Sequence, residues 1–212
     1  MIQSNQPEIV TLVAWPSADS ADKSDNTFID GVLDTLASKH LTTHRIIKVS
    51  SVRDIDVALS DILLSPKFKG KIRLQIVGHG LSGILALGAL WIPDSEIPIK
   101  AYSFPYYVLD TNPASLGLLA KFAGKISQVM LVSCNIGSST SLGHAINGRT
   151  LTYTLSELLQ CLVLGADDVV APNEFDARGR YEPAAQRRRP KGWRWLQGRP
   201  PMWVEAGIDP SP

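Results

Sequence analysis

Apolar positions along this chain follow two alternating patterns, short continuous runs and longer stretches with helical spacing. The runs are rich in Val, Ile and Leu and are bounded by Pro, Gly or polar clusters, which is typical of buried β-strands. Strands are predicted over residues 8–15, 44–51, 71–80 and 125–134.

Between these runs, apolar residues recur every three or four positions, as they do on the buried face of an amphipathic helix. Ser51 is expected to cap one such helix, because Asp54 follows three residues later, and Pro113 is expected at the first position of another. Helices are predicted over residues 28–40, 51–64, 113–124 and 151–165.

Strands that alternate with helices indicate βαβ units and therefore a largely parallel sheet covered by helices on both faces. Residues 81–109 interrupt this order with prolines and turn clusters, and they predict only short strands. We therefore expect an α/β fold with a three-layer α/β/α arrangement.

The composition of the 212 residues, 44% hydrophobic and 19% charged, is that of a soluble globular protein. No apolar stretch approaches the roughly 18 residues of a membrane-spanning helix, and the first ten residues lack the pattern of a classical signal peptide. Two cysteines, Cys134 and Cys161, cannot form a disulfide framework, and neither has a second ligand at metal-site spacing. The sequence therefore predicts no metal and favours a reducing compartment.

Charge is distributed unevenly. Residues 178–199 hold eight of the 21 basic residues against one acid, so this segment carries +7 in a chain whose net charge is +1. Such a density favours phosphate-rich or acidic partners, although a solvated basic tail is the alternative interpretation.

The candidate chemistry lies at the ends of two predicted strands. The stretch "LQIVGHGLSG" ends a strand in His79 between two glycines, and "VMLVSC" ends another in Cys134, 55 residues later. The first stretch lacks the Gly-x-Ser-x-Gly order of a nucleophile elbow, so Ser82 is not predicted as a nucleophile. Catalytic groups of parallel α/β sheets gather at the carboxyl ends of the strands, where an imidazole can activate a thiol. The backbone N–H groups of Gly80 and Cys134 are candidates for an oxyanion hole.

Each residue of this pair also has a structural interpretation. A single Cys after an apolar strand is commonly a small buried hydrophobe, and His-Gly is commonly a turn. Of the other candidates, Cys161 is interpreted as a core residue and His144 as a loop residue rather than a second base. Asp167 and Asp168 are interpreted as loop or cap residues.

A strand ending in His79-Gly80, followed by a later strand ending in a small residue and Cys134, resembles the caspase-like clan of cysteine proteases. "VGHG" and "VMLVSCNIGS" are most similar to the autoprocessing cysteine protease domains of multifunctional RTX toxins, large clostridial glucosylating toxins and related bacterial effectors. The resemblance covers about residues 8 to 183. It implies a caspase-like fold in which Cys134 is the nucleophile and His79 its partner, with cleavage after an apolar residue, commonly leucine.

The family also carries a β-hairpin flap with a Gly-Arg or Gly-Lys turn, and its basic residues bind the activator inositol hexakisphosphate. Residues 169–183, "VVAPNEFDARGRYEP", are similar and are expected to form a small hairpin. The resemblance thus assigns the polyphosphate to this hairpin and the following basic cluster, with the ligand-binding set Arg178, Arg180, Arg187, Arg188, Arg189 and Lys191.

By this interpretation residues 1–183 form the protease domain with its flap, and residues 184–212 form a basic C-terminal segment rich in Pro, Arg and Trp. The partners implied are a protein substrate, either the chain itself or another protein, and an inositol polyphosphate. The implied location is the host cytoplasm, reached as a secreted bacterial effector, or the bacterial cytoplasm.

Two other functions compete with this one. A caspase-like protease triggered by a protein partner would need the same pair but not the basic cluster. A non-enzymatic polyphosphate- or nucleic-acid-binding module would use the arginines, with His79 and Cys134 as packing residues. Nucleic acid is the less favoured ligand, because only one cluster of Trp and Arg suits stacking on bases, at Trp193, Trp195 and Trp203.

Overall fold

The apolar runs that predict strands become the central strands of one six-stranded sheet. The computed structural model describes residues 7–15, 27–39, 41, 44–88, 108–134, 136–138, 147–166, 170–181 and 203–207. Its strands are β1 (Glu8–Ala14), β2 (His44–Val49), β3 (Ile72–Val77), β4 (His79–Leu81), β5 (Ile84–Ala86), β6 (Val108–Leu109), β7 (Ile126–Val132), β8 (Leu162–Ala166) and β9 (Trp203–Ala206).

The main sheet has the strand order β2-β1-β3-β7-β8-β9. Its first five strands are parallel, as the alternation of strands and helices predicts, and β9 runs antiparallel to β8. A small antiparallel sheet, β4-β5-β6, follows directly from the end of β3. It accounts for the short strands expected in residues 81–109, of which residues 89–107 lie outside the described ranges.

Four helices and one 3-10 helix are described. They are α1 (Thr27–Ala37), α2 (Val52–Leu63), α3 (Pro113–Gly117), the 3-10 helix Ala120–Phe122, and α4 (Gly148–Leu159). The capping predictions are confirmed: the Ser51 hydroxyl accepts a hydrogen bond from Asp54 N, and Pro113 occupies the first turn of α3. The third helix is shorter than predicted, because residues 118–124 form turns around the 3-10 helix Ala120–Phe122 instead of continuing the α-helix.

The predicted helix over residues 151–165 is wrong in its second half. Helix α4 ends at Leu159, because Gln160 adopts a left-handed conformation with φ of 54° and returns its N–H to Ser156 O. Residues 162–166 then form β8 in the main sheet. A short apolar run fits a buried strand and a helix equally well by periodicity, so the pattern alone did not separate them.

Helices cover both faces of the sheet. Side chains of neighbouring residues in a strand point to opposite faces of the sheet, so the positions of Leu164 and Gly165 in β8 face opposite layers. A β-carbon added at Gly165 would lie 3.0 Å from Thr152 of α4, which places α4 on one face, and an ion pair between Lys121 and Asp56 joins the 3-10 helix to α2 nearby. Helix α1 and residues 170–181 lie on the other face. The architecture is compatible with a three-layer α/β/α fold.

Burial follows this layering. The apolar residues of β1, β3, β7 and β8 are almost fully buried, together with the inner faces of α1, α2 and α4. Polar residues in these strands or directly after them are therefore informative, and Thr11, Gln75 and Ser133 are all buried at 1% exposure or less. None of the described helices is long and apolar enough to span a membrane.

Candidate active site

The two strands that carry His79 and Cys134 are neighbours in the main sheet. Strands β3 and β7 pair in parallel, and Val77 is the register partner of Val132. His79 and Cys134 each lie two residues beyond this pair, so both leave the same edge of the sheet from adjacent strands. Adjacent strands are only about 4.7–4.9 Å apart. The structure therefore brings the predicted histidine and cysteine to one place, and both are partly exposed there.

The residues next to this pair are in direct contact. Gly78 N donates a hydrogen bond to Val132 O at 3.3 Å, which extends the β3–β7 ladder past the last strand residue. A β-carbon added at Gly80 would lie 2.1 Å from Ser133 Oγ, so only glycine allows the hairpin to approach this closely. Ser133 precedes Cys134 and is fully buried. The backbones on either side of the histidine and the cysteine are thus packed together.

Helix α1 supplies an aromatic neighbour for the histidine. The Phe28 ring lies against the His79 ring, with 5.7 Å between their centroids and an angle of 56° between their planes. Such tilted contacts are favourable and restrict the orientation of both rings. The sequence assigns Phe28 to the apolar face of α1 but contains no signal that links it to His79.

Backbone contacts with β8 and with α4 hold the loop that follows Cys134. Gly137 N donates to Ala166 O at 2.7 Å, and Gly148 N donates to Ser138 O at 2.9 Å. A β-carbon added at Gly148 would lie 2.1 Å from Ile136 O, so the loop passes directly over the first residue of α4. These contacts place the loop between β8 and α4 and so limit the paths that the backbone can take as it leaves Cys134.

Within residues 169–183, where a small hairpin is predicted, the described residues 170–181 form a hairpin closed by a single antiparallel bridge between Phe175 and Tyr181. The hairpin is attached to the sheet through Gln75 of β3. The Gln75 amide nitrogen donates to Gly179 O at 2.9 Å, and Tyr181 N donates to Gln75 Oε1. Glutamine inside an otherwise apolar strand is the sequence signal for this attachment, and the motif-based prediction of the site does not include it.

A half-buried histidine, His44, completes the same network. Gln75 Nε2 donates to Thr11 Oγ1, which lies 2.6 Å from His44 Nε2. His44 Nδ1 lies buried beneath Gly179 and has no hydrogen-bond partner among the described residues. Burial lowers the pKa of His44 to about 4, and the charge of Asp176 opposes this shift. The imidazole is therefore neutral at physiological pH.

The basic residues assigned to a polyphosphate site are only partly described. Arg178 and Arg180 lie in the turn of the hairpin, where Asp176 Oδ1 accepts hydrogen bonds from both backbone N–H groups. The Arg180 guanidinium forms an ion pair with Asp176 at 3.3 Å, and Arg178 is exposed. The other four residues of the predicted set lie outside the described residues: Arg187, Arg188, Arg189 and Lys191.

The second cysteine has the buried position that the sequence predicts, although it lies between α4 and β8 instead of within a helix. Cys161 is 5% exposed, and burial raises the pKa of its thiol to about 11. A thiol of this kind stays protonated and unreactive at neutral pH. His144, Asp167, Asp168, Trp193 and Trp195 lie outside the described residues, and no group of three or more His, Cys, Asp and Glu side chains suited to a metal occurs within them.

Comparison with known proteins adds no family to this description. No protein-family model matches the sequence, and no curated protein matches it. The class that the fold and site define is therefore an α/β protein with a mostly parallel sheet, with His79 and Cys134 at the carboxyl ends of its two central neighbouring strands.

Gly80→Ala is expected to damage the site and to lower stability. The new methyl would lie 2.1 Å from Ser133 Oγ and 2.7 Å from Ile84 O, so the hairpin must shift. Overpacking of this kind costs about 1–3 kcal/mol, and a 1 Å displacement of a catalytic group can cost about 100-fold in rate. Thermal unfolding and the rate of Cys134 labelling by a peptide probe would measure the two effects.

Gly117→Ala is the matched control for this substitution, because nothing lies within 4 Å of the position of its added methyl. It should leave both the unfolding temperature and the labelling rate close to those of the wild type. Equal behaviour of Gly80→Ala and Gly117→Ala would contradict the close packing of Gly80 on Ser133.

The His44 network predicts a loss of stability in mild acid. Since the pKa of His44 in the folded protein, about 4, is below its usual 6.5, the unfolded chain binds the proton more readily. The contribution of His44 is complete above pH 6.5 and is lost as the pH falls from 6.5 to 4. The free energy of unfolding should drop by about 1–2 kcal/mol across this window, because the partly exposed ring is screened by solvent. Urea unfolding of the wild type and His44→Gln would measure this, and identical pH dependence in both would contradict it.

Proposed function

We propose that this protein is a caspase-like cysteine endopeptidase in which Cys134 is the nucleophile and His79 its proton-transfer partner. The observation that carries the proposal is the register of β3 and β7, which delivers both residues to one edge of the sheet from adjacent strands. A cysteine and a histidine at the carboxyl ends of neighbouring parallel strands have the arrangement that thiol catalysis needs. The packing of Gly80 on Ser133 and of Phe28 on His79 supports a defined geometry.

In the proposed reaction the thiolate sulfur of Cys134 attacks the carbonyl carbon of the scissile peptide bond. The carbonyl π electrons move to oxygen, and the tetrahedral intermediate collapses as the His79 imidazolium gives its proton to the leaving amine. Water, deprotonated by the now neutral His79, then attacks the thioester and releases the acid product, with Cys134 regenerated. These steps need no metal and no redox partner.

The hairpin geometry supports Gly80 as an oxyanion donor. Gly80 pairs with Leu85, next to the pair Leu81–Ile84 that closes the two-residue turn. Residues that close such a turn exchange hydrogen bonds, and antiparallel pairs alternate, so the Gly80 N–H points away from β5. Together with the Cys134 N–H it would stabilise the negative oxygen of the tetrahedral intermediate.

The biological setting of the proposal comes from the resemblance to toxin and effector protease domains. We propose that the protein acts as a bacterial toxin or effector that processes itself or cleaves a host protein after an apolar residue. The partly exposed position of the pair at the carboxyl ends of β3 and β7 supports an extended peptide as substrate, because Gly78 and Gly80 carry no side chains that would obstruct it.

We also propose that inositol hexakisphosphate activates the enzyme through the 170–181 hairpin. One route supports such coupling. A β-carbon added at Gly31 of α1 would lie 3.0 Å from Pro172 of the hairpin, and Phe28 lies one turn earlier on the same helix, against His79. A polyphosphate bound to Arg178 and the following basic cluster would order the hairpin, and through α1 this would restrict the position of the His79 imidazole. Guanidinium groups suit phosphate oxygens because they donate paired hydrogen bonds.

The test is covalent labelling by an acyloxymethyl-ketone peptide that carries leucine at the reactive position. The full chain is incubated with the probe in the presence and absence of inositol hexakisphosphate, and mass spectrometry assigns the labelled cysteine. Labelling of Cys134 only with the polyphosphate is the expected result. Cys161 serves as the internal control, since its pKa of about 11 leaves it protonated.

The other outcomes separate the alternatives. Equal labelling of Cys134 with and without the polyphosphate would support the protease but favour activation by a protein partner. The ion pair of Arg180 with Asp176 agrees with this alternative, because it already neutralises one charge of the proposed polyphosphate site. Absence of labelling in both conditions would overturn the protease. If an Arg187, Arg188 and Arg189 triple substitution then abolished polyphosphate binding, the protein would be a binding module.

A further inference from the structure

Ser82 lies at the turn of the hairpin that begins with His79. It occupies the first of two residues between β4 and β5, and Gly83 follows with φ of 72°, a conformation that favours glycine. Ser82 is not arranged as a nucleophile elbow, and the proposed reaction leaves it without a role.

Its hydroxyl connects three parts of the molecule. Ser82 Oγ donates a hydrogen bond to Ser138 O at 2.5 Å and accepts one from Gly148 N at 3.1 Å. Beside it, Gly83 N donates to Ile136 O at 3.0 Å. The turn of the His79 hairpin is thus bonded to the loop that follows Cys134 and to the first residue of α4.

We propose that Ser82 is a positioning residue, whose hydroxyl ties the hairpin carrying His79 to the loop following Cys134 and so sets the spacing between imidazole and thiol. The inference rests on the proposed function, because the spacing matters only if the two residues act together. It adds a residue that the resemblance does not assign.

A single hydroxyl, that of Ser82, joins the hairpin that carries His79 to the loop that follows Cys134. The register pairing of β3 and β7 ends at Val77 and Val132, and among the described residues the ladder continues for only one more hydrogen bond, from Gly78 N to Val132 O. The contacts of Gly80 with Ser133 and of Gly83 with Ile136 limit the separation of the two segments beyond this point. The hydroxyl adds a donor and an acceptor at the far end of the hairpin, where an apolar side chain of the same shape would supply neither.

The experiment compares Ser82→Thr with Ser82→Val, which have the same shape and differ only in the hydroxyl. The readout is the rate of alkylation of Cys134 by iodoacetamide between pH 5 and 9, followed by mass spectrometry on the full chain with and without inositol hexakisphosphate. This small reagent reports the thiolate without a peptide-binding step, so loss of substrate affinity does not enter. His79→Gln is measured in parallel, and peptide hydrolysis gives kcat and KM.

We expect Ser82→Val to move the half-maximal pH of alkylation toward that of an ordinary cysteine, about 8.5, and to lower kcat about tenfold with KM little changed. Ser82→Thr should restore both values toward the wild type. Ser82→Ala, which is smaller than serine and cannot clash, should behave as Ser82→Val and provides the comparison if the branched side chains prevent folding.

Two different results would overturn the inference in distinguishable ways. If His79→Gln shifts the alkylation profile but Ser82→Val and Ser82→Ala do not, the pair stands and Ser82 is no positioning residue. If His79→Gln leaves the profile unchanged, the proposed catalytic pair itself is wrong, and the role of Ser82 falls with it.

Discussion

Cys134→Ala is expected to abolish peptide-bond cleavage, with a loss of at least about four orders of magnitude in kcat. The proposed reaction passes through a covalent thioester on this sulfur, which alanine cannot form. Because Cys134 is only partly buried, the variant should fold with an unfolding temperature close to that of the wild type. Cleavage of a leucine-containing peptide, with and without inositol hexakisphosphate, would measure the loss.

Cys161→Ala is the matched control for the nucleophile. This cysteine lies in the core between α4 and β8, so its truncation should lower stability by about 1 kcal/mol and leave peptide cleavage intact. Retention of activity by Cys134→Ala, or its loss in a folded Cys161→Ala protein, would contradict the assignment of the nucleophile.

His79→Gln is expected to lower kcat by about 10²–10⁴-fold, the usual contribution of a positioned acid–base group. Glutamine keeps the polar character of the side chain but cannot carry the proton to the leaving amine. The thiol remains, so slow cleavage should persist and should increase with pH as more thiolate forms. Measurement of kcat between pH 5 and 9 would show whether the part of the pH dependence that arises from His79 is lost in the variant.

His144→Gln is the control for the assignment of His79 as the proton-transfer residue. The sequence interprets His144 as a loop residue, so its substitution should leave kcat within about twofold of the wild type. Full activity in His79→Gln together with a large loss in His144→Gln would reassign the proton-transfer role to His144.

The central strands could be predicted because each is a continuous apolar run with clear boundaries. In β1 and β7 the observed bounds differ from the predicted ones by no more than two residues, and the helix between β2 and β3 begins at the predicted cap, Ser51. These features depend on neighbours in the sequence, through side-chain alternation and local capping, and so they can be read without the fold.

Other elements could not be predicted because their conformation depends on distant partners. Strand β8 continues the apolar pattern of α4, and only its ladder with β7 on one side and β9 on the other makes it a strand. Residues 203–206 belong to a segment that the sequence assigns to a separate basic tail, yet they add the antiparallel strand at that edge. Pairing across more than 30 residues leaves no mark in the local sequence pattern.

The candidate site divides in the same way. The sequence by itself determined the residue types, the strand ends that carry His79 and Cys134, and the class of chemistry that such a pair can perform. Only the tertiary structure decided that β3 and β7 are neighbours in register, and that Ser133 packs on Gly80 and Phe28 on His79. The reason is physical: strand ends are set by local composition, whereas the spacing between them is set by the hydrogen-bond ladder and by packing between segments far apart in the chain.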